Sequence, residues 1–278
     1  MKKIMYFILS LIFIFENGIA QEIEKQAPQG FDVVRNDIPK GKIDTISYAS
    51  KTVGVTRKAI IYTPPSYSKS KKYPVLYVLD GFYSFPLMHE MHKMMAGEIE
   101  PAIIVGIGDD RISLPEWIIQ RYPILSFDNV AYEDSFHVAM ALRGAPVKLH
   151  SGDGALYYDA IKKEVIPFIE ANYKTSTDRG LTGHSLSSLF ASHVLFKDPG
   201  YFSKIGINSA PLFVNDDETL RLEKAFFASR KTLQGKIFIS ASSLEGKNLF
   251  EKRALNLANA SFAASSDNNG VRTITVSY

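Results

Sequence analysis

The segment Gly183–Ser187 has the residue types and spacing of a serine nucleophile on a tight turn. Its sequence, GHSLS, nearly matches Gly-x-Ser-x-Gly, in which a sharp turn between a strand and a helix lifts the serine Oγ clear of a sheet. Ser187 replaces the last glycine; it is small enough to pack there but lacks the backbone freedom of glycine. Strand and helix patterns flank the segment, at residues 180–182 and 186–196. We therefore predict that Ser185 is a catalytic nucleophile, with a helix N-cap as the alternative.

Attack by a serine on a carbonyl creates an oxyanion, which two backbone N–H groups commonly stabilise. Leu186 directly follows the nucleophile, so its N–H is the first predicted donor. The second is predicted where a strand ends at Asp80, because Gly81 lets the backbone turn there and Phe82 N–H is the more suitable donor. The alternative is that Asp80 and Gly81 form an ordinary turn.

A catalytic carboxylate is expected after a late strand, where it can hold a histidine in the required tautomer and orientation. Residues 236–240 (KIFIS) predict that strand, and Glu245 follows it. Glu245 is the candidate acid; the alternative is a solvated loop residue or the start of a helix. Asp267 is a poorer candidate, because it lies just before an Asn-Gly turn.

The catalytic base is the least defined part of the predicted site. The six histidines are at positions 89, 92, 137, 150, 184 and 193. None follows Glu245, although the order of this serine pattern is serine, acid, histidine. His184 is expected to be structural, while His137 or His150 could reach the site from a lid. The first two histidines share a helix face, and without cysteine or a spaced carboxylate they predict core or surface positions rather than a metal site.

Aromatic residues near these positions are candidates for a substrate pocket. Phe82, Tyr83 and Trp117 would form an aromatic wall that favours an aryl ester; the alternative for each is plain core packing. Asp80, at the predicted oxyanion turn, is a further pocket candidate. This chemistry needs no metal and no cofactor, and none is predicted.

The elements that must position these residues follow an α/β pattern. Alternating patterns at 43–48 and 53–62 predict an antiparallel edge, whereas apolar runs at 73–79 and 102–107 predict strands covered on both faces. The remaining patterns are helical at 86–95, 154–173, 186–196 and 218–230 and strand-like at 180–182, 204–208, 236–240 and 272–277. This alternation predicts a mostly parallel sheet with helices on both faces. Pro167 is expected to kink its helix.

Composition excludes several classes of protein. The 278 residues, of which 46% are apolar and 22% charged, are typical of a globular chain. A net charge of +3 provides no electrostatic footprint for nucleic acid. The absence of cysteine excludes a cysteine nucleophile, an iron–sulfur cluster and any disulfide.

The first twenty residues predict a signal peptide. Lys2 and Lys3 precede an apolar run, residues 4–15, that is far shorter than the roughly 20 residues that span a bilayer. Cleavage is expected after Ala20, which leaves an extended leader (21–41) and one domain (42–278) with an insertion or lid at about 109–151. The mature protein is then expected to be periplasmic or secreted, without membrane contact. The alternative is an N-terminal anchor.

These segments resemble the putative-esterase family of α/β hydrolases, which includes feruloyl and acetyl-xylan esterases, siderophore esterases and S-formylglutathione hydrolases. The resemblance covers residues 27–278; its most specific stretches are EVIPFIEANY (164–173), DR (178–179) and GHSL (183–186). YPVLYVLDG (73–81) fits the family's third strand, and SLE (243–245) fits the segment where siderophore-type members place their acid. The resemblance implies an α/β-hydrolase fold and a serine esterase that acts on a small-molecule, polysaccharide or siderophore ester.

Three departures from the family pattern qualify that expectation. The family usually has Gly-Gly where Ser187 and Ser188 stand, and Asp80 replaces the histidine of feruloyl-type members. The family's catalytic histidine, expected shortly beyond Tyr278, is absent, so we expect a truncated chain that lacks its histidine-bearing C-terminal segment. The alternatives to an active esterase are a non-catalytic binding protein with this fold and an inactive truncated esterase.

Overall fold

The computed structural model describes residues 41–108, 114–129, 149–212, 214–229, 233, 235–241 and 272–277. In this part of the chain, eight strands form one sheet in the order β1-β2-β4-β3-β5-β6-β7-β8. They are β1 (Lys42–Ala49), β2 (Thr56–Thr63), β3 (Tyr73–Leu79), β4 (Ile103–Ile107), β5 (Thr175–His184), β6 (Lys204–Asn208), β7 (Lys236–Ala241) and β8 (Arg272–Ser277). The predicted signal peptide, residues 1–20, lies outside the described residues, as does the leader to residue 40.

The sheet combines an antiparallel edge with a parallel body. Strand β1 pairs antiparallel with β2, and β2 pairs antiparallel with β4. The pairs from β4 through β3, β5, β6 and β7 to β8 are all parallel. The prediction of a mostly parallel sheet with an antiparallel N-terminal edge is confirmed. All carboxyl ends of the parallel strands therefore meet at one edge, where such folds bind ligands.

Burial explains which sequence patterns formed which strands. In β4 all residues are buried, as the continuous apolar run predicted. Strand β1 alternates between exposed and half-buried positions, because it lies at the edge of the sheet. Strand β5 is longer than its predicted residues 180–182: its polar first half, Thr175 to Asp178, has no apolar pattern to reveal it.

The helices of the described residues are α1 (Gly81–Met94), α2 (Leu114–Leu125), α3 (Gly154–Ala160), α4 (Ile166–Asn172), α5 (Leu186–Lys197) and α6 (Val214–Ser229). Helix α1 begins five residues before the predicted residue 86. Proline favours the first turn of a helix, which made Pro86 look like the start. Here the helix accommodates the proline in its interior and begins at Gly81 instead.

The amphipathic segment that begins at Gly154 is a single irregular helical run. A π-helical turn, Ile161–Val165, joins α3 to α4, and Pro167 lies in the first turn of α4. Proline has no N–H for the i→i−4 ladder, so a change of hydrogen-bond pattern is expected just before it. Pro167 therefore marks an irregularity in the helix, as predicted.

Part of the predicted insertion is helical. Helix α2 lies within residues 109–151, which the sequence analysis treated as lacking periodicity; Pro115 and Pro123 obscured the pattern. The segment that follows α2 is tied to the end of the insertion, because Gly154 N–H donates to Ser126 O at 2.8 Å and Asn129 Nδ2 donates to Ser151 O at 3.0 Å. Residues 109–113 and 130–148 lie outside the described residues. None of the helices described is both long and apolar enough to cross a membrane.

Candidate active site

Ser185 lies at the turn between β5 and α5, at the carboxyl edge of the sheet. Its backbone dihedral angles, φ 58° and ψ −125°, are strained for a residue with a side chain. The turn is held by a hydrogen bond from Ser185 N–H to Asn208 O on β6, at 2.9 Å. Strand–turn–helix geometry with a strained serine is what a nucleophile elbow requires.

Two hydroxyls occupy the positions where the family usually has glycines. Ser187 Oγ donates to His184 O and accepts from His184 N–H, both at 2.9 Å. Ser188 Oγ lies 2.6 Å from Gly183 O and 2.9 Å from Asn208 O, and it accepts from Asn208 N–H at 2.7 Å. Both serines are fully buried. Both serines are small enough to fill the positions of the two glycines. The Ser187 hydroxyl adds hydrogen bonds within the turn, and the Ser188 hydroxyl adds a hydrogen bond that joins the turn to β6.

The predicted oxyanion donors lie on the turn that carries Ser185 and on the turn next to it. Strands β3 and β5 pair in parallel with Val78 opposite Thr182, so the turn after β3 and the turn that carries Ser185 lie next to each other. Among the described residues, nothing accepts a hydrogen bond from the N–H of Leu186 or Phe82. Both groups are therefore available to a substrate oxygen.

Gly81 is required by the tight approach of α1 to β4. A Cβ on Gly81 would lie 2.4 Å from the carbonyl carbon of Gly106 and 2.6 Å from the nitrogen of Ile107. The residue is not an ordinary flexible turn position: it lets the backbone pass directly over the neighbouring strand. This approach directs the start of α1 towards the carboxyl edge.

Asp80 takes part in an ion pair that sequence analysis did not detect. Its backbone has φ 51° and ψ 48°, and its carboxylate accepts from Arg121 Nε at 2.9 Å and Nη2 at 2.5 Å. The Arg121 guanidinium lies 4.3 Å from the centre of the Trp117 ring, which in turn lies 5.4 Å from the Tyr83 ring. The candidate pocket residues Asp80, Tyr83 and Trp117 are thus brought together, and Arg121 links them.

A groove of about 400 Å³ runs beside the nucleophile turn. Tyr83 and Leu87 of α1 form one wall, and Gly183 and His184 lie on the other side. Tyr83 also lines the smaller depression that contains Phe82, Trp117 and Arg121. Tyr83 therefore lies between the turn that carries Ser185 and the side chains of Trp117 and Arg121.

His92 and His150 have partners other than Ser185. His92 Nε2 accepts from Ala102 N–H at 3.1 Å, and burial, the largest cause, lowers the pKa of His92. The exposed His150 lies 2.8 Å from Asp153. His184 is exposed in the groove. His137 and the candidate acid Glu245 lie outside the described residues, as does Asp267. No cluster of metal-ligating side chains occurs in the part of the chain described.

His193, which the sequence analysis left without a role, belongs to a buried acidic network. Its Nε2 lies 3.2 Å from Glu218 Oε2, and Asn215 Nδ2 donates at 3.1 Å to both Glu218 and Asp128. The neighbouring Glu218 carboxylate, together with burial, raises the pKa of Asp128. Burial raises the pKa of Glu218, but hydrogen bonds from His193 and Asp128 outweigh it and leave that pKa well below its usual range. The network joins the insertion to α5 and α6.

The site residues that sequence analysis missed are Arg121 and Asn208. Each is far in sequence from the residue that it binds. Arg121 lies 41 positions after Asp80, and Asn208 lies 20 positions after Ser188. Neither belongs to a local motif. A lone arginine in a segment without periodicity carried no signal that it would face Asp80.

Residues 50–117 and 127–265 match a family model described as "Putative esterase". Among solved structures, the BES protein from Bacillus cereus is 23% identical, with 91% of each chain covered and a TM-score of 0.67. An IroE-like serine hydrolase from Shewanella oneidensis is 24% identical over 85% of this chain and 73% of that chain, with a TM-score of 0.66. Siderophore hydrolase EstB from Aspergillus nidulans is 17% identical over 89% of this chain and 90% of that chain, with a TM-score of 0.68. At these identities the likeness shows the fold.

Proposed function

The chain belongs to the putative-esterase family, and from that premise we propose that it is a serine esterase that hydrolyses carboxylic esters through an acyl-enzyme on Ser185. The observation that carries the proposal is the strained turn at Ser185, beside two N–H groups that no described residue uses. Strain of this kind is retained where the surrounding structure needs it for function.

The reaction has two halves. A base takes the Ser185 Oγ proton as that oxygen attacks the ester carbonyl carbon, and the carbonyl oxygen becomes an oxyanion that accepts from Leu186 N–H and Phe82 N–H. The intermediate collapses, the alcohol leaves with a proton, and the acyl group stays on Ser185. Water then attacks the acyl-enzyme in the same way, which releases the acid and restores the hydroxyl.

The acyl group is proposed to lie against Tyr83 and Trp117. Their rings are 5.4 Å apart and tilted by 33°, and Tyr83 shares the groove with Gly183 and His184. Aromatic rings favour offset or tilted packing against another ring, so an aryl acyl group suits this wall. One of the similar structures is described as a ferulic acid esterase, a name that fits an aryl acyl group.

A second candidate function is ester binding without hydrolysis. It is favoured by two of the histidines: His92 Nε2 accepts from Ala102 N–H, and His150 lies 2.8 Å from Asp153, so both have partners other than Ser185. Such a protein would keep the groove and the oxyanion donors but lack a base.

Hydrolysis of p-nitrophenyl acetate by residues 21–278, beside the Ser185→Ala variant, separates the two candidates. Removal of a triad serine leaves residual catalysis over water, so the comparison between variants decides. For an esterase we expect Ser185→Ala to lower kcat by about a hundredfold or more, equivalent to about 2.7 kcal/mol. Equal rates would refute the esterase proposal and leave the binding function. Ser192→Ala, on α5 with its hydroxyl donating to Leu189 O at 2.7 Å, is the matched control.

A second series tests the base. His137→Ala and His150→Ala are compared with the unchanged chain in the same assay. The variant that loses activity while keeping its melting temperature identifies the base. His89→Ala, on α1 and ion-paired with Glu90, serves as the control.

Export to the periplasm or the medium is part of the same proposal. It rests on the basic start, the apolar run at residues 4–15 and the small residues before Gln21. The N-terminal residue of protein recovered from outside the cytoplasm tests it. Gln21 is expected at that position; an intact Met1 on the mature protein would contradict export.

A further inference from the structure

We propose that Arg121 is a positioning residue that keeps the oxyanion site open by holding the Asp80 carboxylate away from the start of α1. The inference rests on the proposed esterase function. It concerns Phe82 N–H, the donor that the Asp80 carboxylate would otherwise occupy. Neither residue needs to touch the substrate for this role.

Asp80 stands at the N-cap position of α1 without capping it. An aspartate at an N-cap ordinarily accepts a hydrogen bond from the N–H of the second or third helical residue. Those residues are Phe82 and Tyr83. Tyr83 N–H instead donates to the backbone oxygen of Asp80 at 2.8 Å, and no side-chain cap bond forms. The usual acceptor for Phe82 N–H is therefore present but turned away.

The Asp80 carboxylate is bound by Arg121 instead. Both carboxylate oxygens of Asp80 are bound by one guanidinium, at 2.9 and 2.5 Å, in the two-pronged geometry that gives the strongest pairs. Only 6% of the Asp80 side chain and 13% of the Arg121 side chain are exposed, so water competes little for either group. A carboxylate held in this way is not free to rotate towards its own helix.

The Arg121 side chain is itself held by an aromatic ring. Its guanidinium lies 4.3 Å from the centre of the Trp117 ring, a cation–π contact. Trp117 and Arg121 lie four residues apart on α2, which places both side chains on the same face of that helix. Helix α2 of the insertion thus supplies a guanidinium in a fixed position beside the turn at Gly81 and Phe82.

Loss of Arg121 is expected to convert Asp80 into an ordinary N-cap. The freed carboxylate would accept from Phe82 N–H, the helix would gain a cap and the substrate oxyanion would lose a donor. Removal of one oxyanion donor costs roughly 10²–10³ in kcat, so Arg121→Met is expected to lower kcat by about tenfold or more. KM should stay within about threefold, because the lost bond forms only in the transition state.

Double variants separate this role from the simple cost of an unpaired buried charge. In the Arg121→Met background, Asp80→Gly removes the carboxylate and tolerates the positive φ, whereas Asp80→Asn removes the charge but can still cap the helix. We expect Asp80→Gly to restore kcat and Asp80→Asn to leave it low. Equal rescue by both would show that only the buried charge mattered and would overturn the inference. Unchanged kcat in Arg121→Met alone would also overturn it.

The matched control is Arg179→Met. Arg179 pairs with the Glu170 carboxylate and its side chain is 20% exposed, but it lies on β5 six residues before Ser185, about 20 Å away along an extended strand. Loss of this pair is expected to lower stability with little change in kcat. A comparable fall in kcat for this variant would mean that arginine loss acts through global stability.

A measurement on the backbone distinguishes failure of this inference from failure of the esterase proposal. The Phe82 amide proton is followed by NMR hydrogen exchange in the unchanged chain, in Arg121→Met and in the Asp80→Gly double variant. Exchange is expected to slow in Arg121→Met alone, because the new cap bond protects the amide. If the exchange rate of the Phe82 amide is unchanged in Arg121→Met, the inference is wrong, whatever the Ser185→Ala variant shows. If Ser185→Ala is fully active, the esterase proposal fails, and the catalytic role assigned to Arg121 fails with it.

Discussion

A Cβ atom on Gly183 would lie 2.5 Å from both the carbonyl carbon and the carbonyl oxygen of Ser187. No real Cβ contact is this short, so the first turn of α5 can pass over the end of β5 only if residue 183 has no side chain. This contact fixes the path of the backbone on both sides of Ser185. Glycine at position 183, two residues before Ser185, is therefore a steric requirement of this turn.

Gly183→Ala is expected to destabilise the protein and to displace Ser185. Inserting a methyl group into packed backbone costs about 1–3 kcal/mol of unfolding free energy, measured by urea denaturation. Gly180→Ala on the same strand is the control, since its Cβ would approach the flexible Leu76 Cδ1 at 3.0 Å and meet Lys204 only at ordinary contact distances of 3.7 Å and above. An equal loss in both variants would mean that β5 rejects any side chain.

Ser188→Ala is expected to loosen the joint between the elbow and β6. Ser188 Oγ accepts from Asn208 N–H at 2.7 Å, and its loss leaves that partly buried amide without its acceptor. The cost is about 1–3 kcal/mol in thermal or urea unfolding. Ser70→Ala, which removes an exposed hydroxyl bonded to Ser68, should cost under about 0.5 kcal/mol. Equal stability of Ser188→Ala and the unchanged chain would contradict this account of the serine pair.

Tyr83→Ala tests the aromatic wall while leaving Trp117 in contact with Arg121. An aromatic pair contributes about 0.5–1.5 kcal/mol beyond its buried area, so kcat/KM for methyl ferulate should fall by about threefold to tenfold more than for p-nitrophenyl acetate. Met91→Ala, an exposed residue two turns further along α1, is the control. If both substrates fall equally in Tyr83→Ala, Tyr83 does not select the acyl group.

Glu164→Gln is expected to change how stability depends on pH. Glu164 Oε1 accepts from Thr52 N–H at 2.8 Å and from Thr52 Oγ1 at 2.7 Å. Burial raises the pKa of Glu164, but hydrogen bonds from Ser50 and Thr52 outweigh it and leave the pKa below its usual value. A lowered pKa in the folded state adds stability above the unfolded-state pKa, about 4.3, and this contribution is lost as the pH falls through the folded-state value.

The variant should therefore be less stable than the unchanged chain at pH 7, by about 1 kcal/mol, and the difference should shrink towards pH 3. Urea unfolding at both pH values measures it. Glu98→Gln, at an exposed position after α1, is the control and should change stability little at pH 7. A difference that grows at acid pH would contradict the sign of the shift.

Local patterns in the sequence determined most of the architecture. Strand β3, residues 73–79, was predicted with the boundaries that it has, because an apolar run between turn residues is typical of a covered strand. Strand β6, residues 204–208, was also predicted with its observed boundaries, and its buried positions alternate with more exposed ones. The turn at Ser185 was also predicted from a local pattern, because a strand, small residues and a helix follow each other within one short segment. Boundaries failed where the local signal was weak or misleading, as at Pro86 in α1 and in the polar first half of β5.

The environment of the site was decided by the tertiary structure alone. The pairing of Asp80 with Arg121 and the bond from Asn208 N–H to Ser188 join residues from different elements, and only sheet register and helix packing bring such residues together. The sequence marked Asp80 as a pocket residue but could not show that its carboxylate is turned away from its own helix. A motif specifies the local backbone path, whereas the direction of a charged side chain depends on which distant partner the fold places within a hydrogen bond's length.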